Sequence, residues 1–352
     1  MSNGDIRIDV PALTALCEDA FKAAGLPEAD ARVASRVLVF ADCVGIGTHG
    51  VRRVVPYVAR IRDGAFNPRP AITVRRDGAT AIVDGDDGLG PVVGWRGLAV
   101  AIEIARETGA AFVGCRASQH FGALAPYIRE ATDAGMVVCL GTTALATMAP
   151  TGGVEVKVGN NPIGLGAPRP GGFPFMLDIA LSIVARGKIR RAMERGERIP
   201  PDWGLDPEGR PTTDPEDALR GFVLPVGGHK GYGLALMVDI LAGVLIGERP
   251  SASVRSLFQQ RDQPQKVGHF FIVIDPARTI GTEAFLDGMA ALEAEMRGTR
   301  PADPSTPVLL PGDLEARAHA AALRDGLALP GSLARDIRRL AAGEAVDESS
   351  SY

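Results

Sequence analysis

His49, Arg53 and Tyr57 recur at four-residue intervals, which places an imidazole, a guanidinium and a phenol on one side of the chain if the stretch is helical. The types make chemical sense together. A histidine exchanges a proton near neutral pH, and a planar guanidinium grips a carboxylate through two parallel hydrogen bonds. Thr48 can cap a helix that starts at His49, where the helix dipole disfavours a charged imidazole. Plainer readings stand beside these: a half-buried histidine satisfied by a neighbour, a surface ion pair at Arg53 with Arg52 solvated, and a kink at Pro56 that breaks the shared face.

Other candidates lie further along. His120, in Ser118-Gln119-His120-Phe121-Gly122, sits between a strand-like and a helix-like segment, where a loop histidine suits either acid/base work or helix capping. Gly159-Asn160-Asn161-Pro162-Ile163-Gly164 is a turn-rich loop whose backbone N–H groups could face an anion, and Asp178 ends a strand with Ser182 just after it. Lys230, in Gly227-Gly228-His229-Lys230-Gly231-Tyr232-Gly233, opens a long apolar helix and could meet an anion there, a solvated surface lysine being the alternative. It is not a Walker lysine, because His229 stands where that motif needs glycine.

The elements that must position these groups exclude one reading at once. Gly45-Ile46-Gly47-Thr48-His49-Gly50 is a literal G-x-G-x-x-G, with Asp63 near the place of a ribose-binding acid. A dinucleotide fingerprint works only between a buried strand and a helix. Here Val33, Val37, Leu38, Ala41 and Val44 repeat every three to four residues, so a helix precedes the glycines and the loop joins two helices. The first 75 residues read as helical from about Pro11, pausing at Gly25-Leu26-Pro27 and at the glycine turn. Beyond Pro70, strands are expected at Ala81–Val83, Ala111–Cys115, Met136–Gly141, Phe175–Ile179 and Phe270–Ile274, and helices at Pro91–Thr108, Gly122–Ala134 and Gly231–Leu245. After the proline-rich stretch from Pro301 the chain reads as helical through Ala342, then as a polar tail to Tyr352.

Composition narrows the class. With 352 residues, 46% hydrophobic and 23% charged, the chain can bury a large core without staples. A net charge of −4 argues against nucleic acid, and the basic run Arg186 to Arg195 reads as a solvated helix face. Cys17, Cys43, Cys115 and Cys139 form no C-x-x-C pair, which suits a reducing, cytoplasmic setting; MSNGDIRIDV shows no secretory signal. Gly231 to Gly247 is short, glycine-rich and interrupted by Asp239, so it reads as a core helix and no membrane partner is expected. Five histidines without H-x-H or H-E-x-x-H spacing argue against a metal, and the lack of G-x-S-x-G argues against acyl transfer.

Taken together, THGVRRVVPY (48–57), SQHFG (118–122), the APTGG and GNNPIG stretch (149–164), LDIALS (177–182), PPDWGLDPEGRPTTDP (200–215), GGHKGYGLALMVDILAG (227–243), HFFIVIDP (269–276) and LLPGD (309–313) resemble the malate/L-lactate dehydrogenase type-2 oxidoreductases, nearly end to end. That family includes ureidoglycolate, sulfolactate and diketogulonate enzymes and cyclic-imine reductases. The resemblance implies hydride transfer between NAD or NADP, with NAD the first choice, and a small 2-hydroxy or 2-oxo acid of the malate/lactate kind. The alternatives are reduction of a Δ1-piperideine- or pyrroline-2-carboxylate type imino acid, or a non-catalytic carboxylate-binding relative. It implies His49 and His120 as catalytic candidates, Thr48, Arg53 and Tyr57 as substrate contacts, and Asp178, Ile179, Ala180, Lys230, Gly312 and Asp313 as cofactor contacts. Thr48 departs from the family's usual serine, adding a methyl on the substrate side. The implied fold is α/β (α+β), with a non-Rossmann NAD(P)-binding sheet domain over residues 76–300. A helical domain formed by both chain ends, 1–75 and 301–352, completes it, and the implied assembly is a homodimer.

Overall fold

The computed structural model describes residues 4–347, so the last part of the polar tail to Tyr352 lies outside the described residues. The chain opens with β1 (Asp5–Ile8), α1 (Val10–Ala23) and α2 (Glu28–Cys43), passes two short 3-10 turns, Gly47–His49 and Val51–Arg53, and continues as α3 (Val54–Arg62). Then follow β2 (Thr73–Asp77), β3 (Thr80–Asp84), α4 (Gly90–Thr108), β4 (Ala110–Ser118), α5 (Ala125–Asp133), β5 (Val137–Thr142), β6 (Ala146–Met148), β7 (Val158–Gly159), β8 (Ile163–Ala167) and β9 (Phe175–Ile179). Next come α6 (Arg186–Glu194), β10 (Gly204–Leu205), α7 (Pro215–Arg220), β11 (Phe222–Val223) and α8 (His229–Ala242). The chain closes with β12 (Val267–Ile274), α9 (Thr282–Arg297), α10 (Asp313–Asp325), β13 (Leu327–Pro330) and α11 (Gly331–Ala341). The molecule is a mixed α/β protein, and the expected strands in the middle of the chain are β3, β4, β5, β9 and β12.

Seven strands form one sheet in the order β2-β3-β4-β12-β5-β8-β9. Only the β3–β4 pair is parallel; every other neighbour pair is antiparallel. Alternation along β12 sends Phe271 into the core with Leu98, Tyr127 and Leu140, and Phe270 into another with Met148, Ala235 and Val238. α4 and α5 therefore cover one face and α8 the other. A third core joins Leu13, Phe21, Leu38 and Tyr57 to Ile337 and Leu340, and β1 pairs antiparallel with β13, tying the two ends of the chain together.

Several elements differ from the sequence expectation, each for a physical reason. His49, Arg53 and Tyr57 do not share one helix: the first two end separate 3-10 turns and only Tyr57 lies in α3. The helix after residue 300 is interrupted by β13, which exists because β1 supplies its partner. β8 was hidden by its glycines, which look like turn residues. A Cβ at Gly166 would lie 2.3 Å from Ile128, and one at Gly164 2.9 Å from Leu140, so close packing under α5 requires glycine there. The helix expected from Gly122 starts only at Ala125, and the one expected to Leu245 ends at Ala242, before Gly243. β2 and α9 carry almost no buried apolar pattern and were not expected.

α8 also differs from a fully buried core helix. Gly231, Ala235, Val238, Asp239 and Ala242 face inward, while Leu234, Met237 and Ile240 are exposed. The segment His229–Ile246 is apolar and long enough by composition to cross a membrane. It is nonetheless broken at Gly243, and buried Asp239 accepts hydrogen bonds from the Ser251 backbone and hydroxyl at 2.8 and 2.6 Å.

Candidate active site

The glycines of the GIGTHG turn make room for a carboxylate of the protein itself. Asp42, in the last turn of α2, accepts the Val51 backbone N–H at 2.7 Å. A Cβ at Gly50 would lie 2.1 Å from its Oδ2 and one at Gly47 3.1 Å from its Oδ1. Burial pushes the Asp42 carboxyl up to about 6, against the Val51 N–H and the nearby Arg52 charge. The result is a compact turn clamped onto the end of α2. Out of it the chain delivers Thr48, whose hydroxyl is 2.9 Å from His49 Nδ1, and Arg53, whose Nε donates to the Thr48 carbonyl at 2.9 Å. The Arg53 guanidinium also lies 5.6 Å from the centre of the Phe258 ring.

The loop after β4 brings His120 to the same place. The His49 and His120 rings are stacked, 5.5 Å between centres and 11° from parallel. Tyr57, fully buried in α3 behind them, has its hydroxyl 2.5 Å from His120 Nδ1 and 3.3 Å from the His120 carbonyl. The Gly122 backbone N–H also points at Nδ1, at 3.3 Å. A backbone N–H can only donate, so Nδ1 is an acceptor and neutral His120 carries its proton on Nε2. Burial holds both imidazoles down, His49 to about 3 with help from Arg53 and Arg52, and His120 well below the ordinary histidine range with help from Arg53 and His49. Burial also raises the Tyr57 phenol, keeping it protonated.

A second layer fixes the loop. The Gln265 side-chain oxygen accepts the His120 N–H at 3.1 Å, and the Gln265 N–H donates to Gln119 at 2.7 Å. His269 is a structural histidine: fully buried in β12, it bonds Ser118 and Thr142 at 2.8 Å each and stacks on Phe121.

His49, Arg53 and His120 line a cavity of about 210 Å³ with Phe121, Thr142, Asn160, Ser182, Val184, Val223, Leu257 and Phe258. At roughly 30 Å³ per water this is room for about seven waters, the scale of a small organic acid. Several polar residues on its wall escaped sequence reasoning: Thr142, Thr143, Ser256 and Gln265, and also Arg186 and Thr147. Arg186 begins α6 and faces the cavity, so the solvated reading of the basic run fails for its first member; nothing in the one-dimensional pattern separates it from its neighbours. Thr147, in β6, carried no signal either. Thr48 and Tyr57 stand behind the wall and do not line the cavity.

The candidate cofactor residues gather along β9, the edge of the sheet, which leads through Leu181 to Ser182 and Val184 on the cavity wall. One Asp178 oxygen accepts the N–H groups of Leu124 and Ala125 at 2.8 and 3.0 Å, so the carboxylate holds the start of α5; burial pushes it up to about 6. Ile179 and Ala180 follow, Ile179 exposed. The Val226 N–H donates to Leu181 at 2.9 Å, which sets the first turn of α8, with exposed Lys230, beside that end of β9. The Met176 N–H donates to Pro311 at 3.3 Å, and Gly312, at φ +98°, approaches so closely that a Cβ would lie 2.4 Å from the Pro174 carbonyl. Asp313 is occupied: Arg297 holds it with two bonds of 2.9 Å, and Arg169 and the Leu310 N–H add one each at 2.9 Å. Burial would raise its carboxyl, but these donors hold it well below the ordinary range. Among the described residues, no group of three or more His, Cys, Asp or Glu side chains is arranged to hold a metal ion.

Two neutral imidazoles beside a guanidinium can move a proton next to a bound carboxylate, and the likeness to known proteins agrees with that chemistry. A sequence profile described as malate/L-lactate dehydrogenase matches residues 8–338. The chain is 40% identical over 285 residues to the malate dehydrogenase of Pyrococcus horikoshii, covering 78% of each. It is 35% identical over 337 residues to the Delta(1)-pyrroline-2-carboxylate reductase of Ancylobacter novellus, covering 95% of this chain and 97% of the relative. The solved sulfolactate dehydrogenase of Methanocaldococcus jannaschii superposes with a TM-score of 0.89 at 33% identity, over 96% of this chain and 98% of that one. The profile match runs from the end of β1 into α11 and takes in every element that builds the cavity, and the chain belongs to the malate/L-lactate dehydrogenase family.

Proposed function

We propose that this chain is an NAD- or NADP-dependent oxidoreductase that interconverts a small 2-hydroxy acid and its 2-oxo acid, with the chemistry at His49, Arg53 and His120. The observation that carries the reading is the convergence of the two stacked imidazoles and one guanidinium on a cavity of small-acid size. Relatives are named for each of the two cofactors. When bound, the nicotinamide supplies the hydride.

The side chains account for the proton. Arg53 binds the substrate carboxylate and fixes the carbon to be reduced. Burial is the main cause of both neutral imidazoles and the Arg53 charge the next; the substrate anion cancels that charge, so protonation becomes easier as substrate binds. On His120 the added proton goes to Nδ1. The Tyr57 O–H then turns to the His120 carbonyl, 3.3 Å away, and its oxygen accepts from Nδ1–H. Nε2–H donates its proton to the substrate oxygen as the carbon is reduced, leaving Nε2 bare and able to act as the base of the reverse reaction. Tyr57 is thus a positioning residue rather than a substrate contact, and Thr48 acts through His49 and Arg53.

The nucleotide is assigned to the β9 edge, with Asp178, Ile179, Ala180, Lys230, Gly312 and Asp313. The local backbone suits a nucleotide. Gly227 and Gly228 adopt left-handed φ with nothing within 4 Å of a Cβ, leaving open backbone beside the exposed Lys230 at the start of α8, a combination suited to a pyrophosphate. Asp313, with its oxygens occupied, would act by holding Gly312 in place. A sheet with a single parallel pair supports a non-Rossmann mode of binding.

The paired chain ends support a helical domain of 1–75 with 301–352 against a central 76–300 domain. The exposed apolar row Leu234, Met237, Ile240, Val244 and Leu245 supports a homodimer in which a second copy covers α8. Four free cysteines, three of them buried, support a reducing cytoplasmic setting. Cyclic imino acids are the second substrate class to try, given the reductase relative.

The deciding experiment follows near-ultraviolet absorbance of NADH and NADPH over a panel of 2-oxo acids and cyclic imines. Consumption with at least one acid is expected; constant absorbance across the panel would end the proposal.

A further inference from the structure

One wall of the cavity is a loop whose two ends are pinned together. The Arg255 N–H donates to the Gln265 carbonyl at 3.2 Å, and the Gln265 side chain donates back to the Arg255 carbonyl at 3.1 Å. From this neck the chain runs through Ser256, Leu257 and Phe258, which line the cavity, to an exposed turn closed by the Gln263 N–H on the Gln260 carbonyl at 3.2 Å. A buried charge holds the turn from beneath. Arg60, in α3 and 1% exposed, donates from Nη1 to the Gln260 carbonyl at 2.8 Å and from Nη2 to the Gln263 carbonyl at 2.6 Å. Its guanidinium lies 5.3 Å from the centre of the Phe66 ring. The rigid fork fits two main-chain oxygens at once, and Gln260 takes a left-handed φ of +43° in the turn that presents them. Burying a guanidinium is unfavourable unless its donors are used, and here two of them are used on the loop. Arg261 of the same turn also reaches Asp63, at the C-terminal end of α3, at 3.0 Å.

The tip and the neck of this loop hold different parts of the site. The tip carries Phe258, whose ring lies 5.6 Å from the Arg53 guanidinium, while the Thr48 carbonyl accepts from Arg53 Nε at 2.9 Å. The neck carries Gln265, which accepts the His120 N–H and is anchored through Gln119 and Arg255. We infer that Arg60 is a positioning residue for the carboxylate grip. By fixing the tip of loop 255–265 it keeps the Phe258 ring on Arg53, and so keeps that guanidinium in the orientation a substrate carboxylate needs. With the tip loosened, Arg53 gains rotamers that must be frozen again on binding, and affinity falls. His120 keeps its place, because the neck has its own anchors. The inference rests on the 2-oxo acid reading above.

The test measures kcat and KM with reduced cofactor, for whichever of pyruvate and oxaloacetate is reduced faster, in wild type, Arg60→Met, Phe258→Ala and the double variant. Arg60→Met is expected to raise KM roughly three- to tenfold, the scale of one freed side chain and one lost cation–ring contact. Its kcat should stay within about twofold of wild type, and in the Phe258→Ala background the same change should move KM by less than about twofold. A second arm needs no turnover: calorimetry with oxalate should show the same loss of affinity in Arg60→Met, and the same disappearance of it when Phe258 is already alanine. If Arg60→Met does not fold, Arg60→Lys, which keeps the charge but replaces the fork with a point donor, is read in the same way. A kcat that falls in step with the rise in KM, an equal penalty with and without Phe258, or an unchanged oxalate affinity overturns the inference. Oxalate binding without reduction of either acid would count against the dehydrogenase reading and leave the oxalate arm to decide the role of Arg60.

Discussion

The Tyr57 hydroxyl lies 2.5 Å from His120 Nδ1 and 3.3 Å from the carbonyl oxygen of the same residue. It can therefore donate to the neutral ring or, turned toward the carbonyl, accept from the charged one. Tyr57→Phe removes both options and leaves only the Gly122 N–H facing Nδ1, which disfavours the imidazolium. We expect kcat for oxo-acid reduction to drop about ten- to hundredfold, on the scale of lost acid/base positioning, with KM little changed. The basic limb of the pH–rate profile should move to lower pH. Stopped-flow rates from pH 5 to 9 check this, and an unshifted limb would show Tyr57 to be packing only.

Arg53 has two effects that separate kinetically. Arg53→Met removes the carboxylate grip, so KM is expected to rise about a hundredfold, the scale of a lost bidentate charge pair. It also removes a positive charge that lowers both imidazoles, so the same limb should move to higher pH, opposite to Tyr57→Phe. A rise in KM without that shift would place Arg53 away from the proton-transfer residues.

Gly50→Ala tests the clamp on the GIGTHG turn. The new methyl would lie 2.1 Å from the Asp42 carboxylate, which must give up the Val51 N–H or push the turn aside. Overpacking of this kind costs about 1–3 kcal/mol. We expect a lower melting temperature and a loss of kcat/KM larger than that from Gly288→Ala, which lies in α9 with ordinary helical backbone and meets no atom within 4 Å. Equal activity in the two variants would mean that the turn does not aim His49 and Arg53.

Acid should destabilise the fold through its neutral histidines. His269 is held down to about 3 by burial, below its ordinary 6.5. A lowered pKa contributes stability that is present above the unfolded value and lost as pH falls. From about pH 6.5 downward the unfolded chain binds a proton that the folded one refuses, a slope of about 1.4 kcal/mol per pH unit once below that value. Asp42 and Asp178, raised to about 6 from 3.8, work in the opposite sense between those values. Comparison with a variant isolates the histidine: the stability gap between wild type and His269→Gln should narrow from pH 7 to pH 5 in urea unfolding, and a constant gap would count against a neutral His269.

Assembly can be read by sedimentation. Met237→Glu places a charge in the exposed apolar row of α8, and a wild-type dimer should become a monomer at micromolar concentration. A wild-type monomer, or a dimer indifferent to this change, would show that another surface holds the copies together.

The sequence by itself determined the strongly patterned parts of this protein. The helices before the glycine turn, five apolar strands of the sheet and the family motifs are all local signals, carried by periodicity or by residue identity. His49, Arg53 and His120 stood out as candidates for the same reason. Tertiary structure decided what each was next to. Asp42 explains the glycines only once the end of α2 is folded back on the turn, and Tyr57 moves from the substrate to the back of His120 because α3 is buried. Gly164 and Gly166 read as turn residues until α5 is packed over them, and Arg186 reads as one more solvated arginine until α6 is docked against the cavity. Apart from the Asp42 turn, whose partners are within nine residues, each of these depends on contacts between residues far apart in the chain. Local pattern carries no information about such contacts, because the period of a helix or strand says which face is buried and not what buries it.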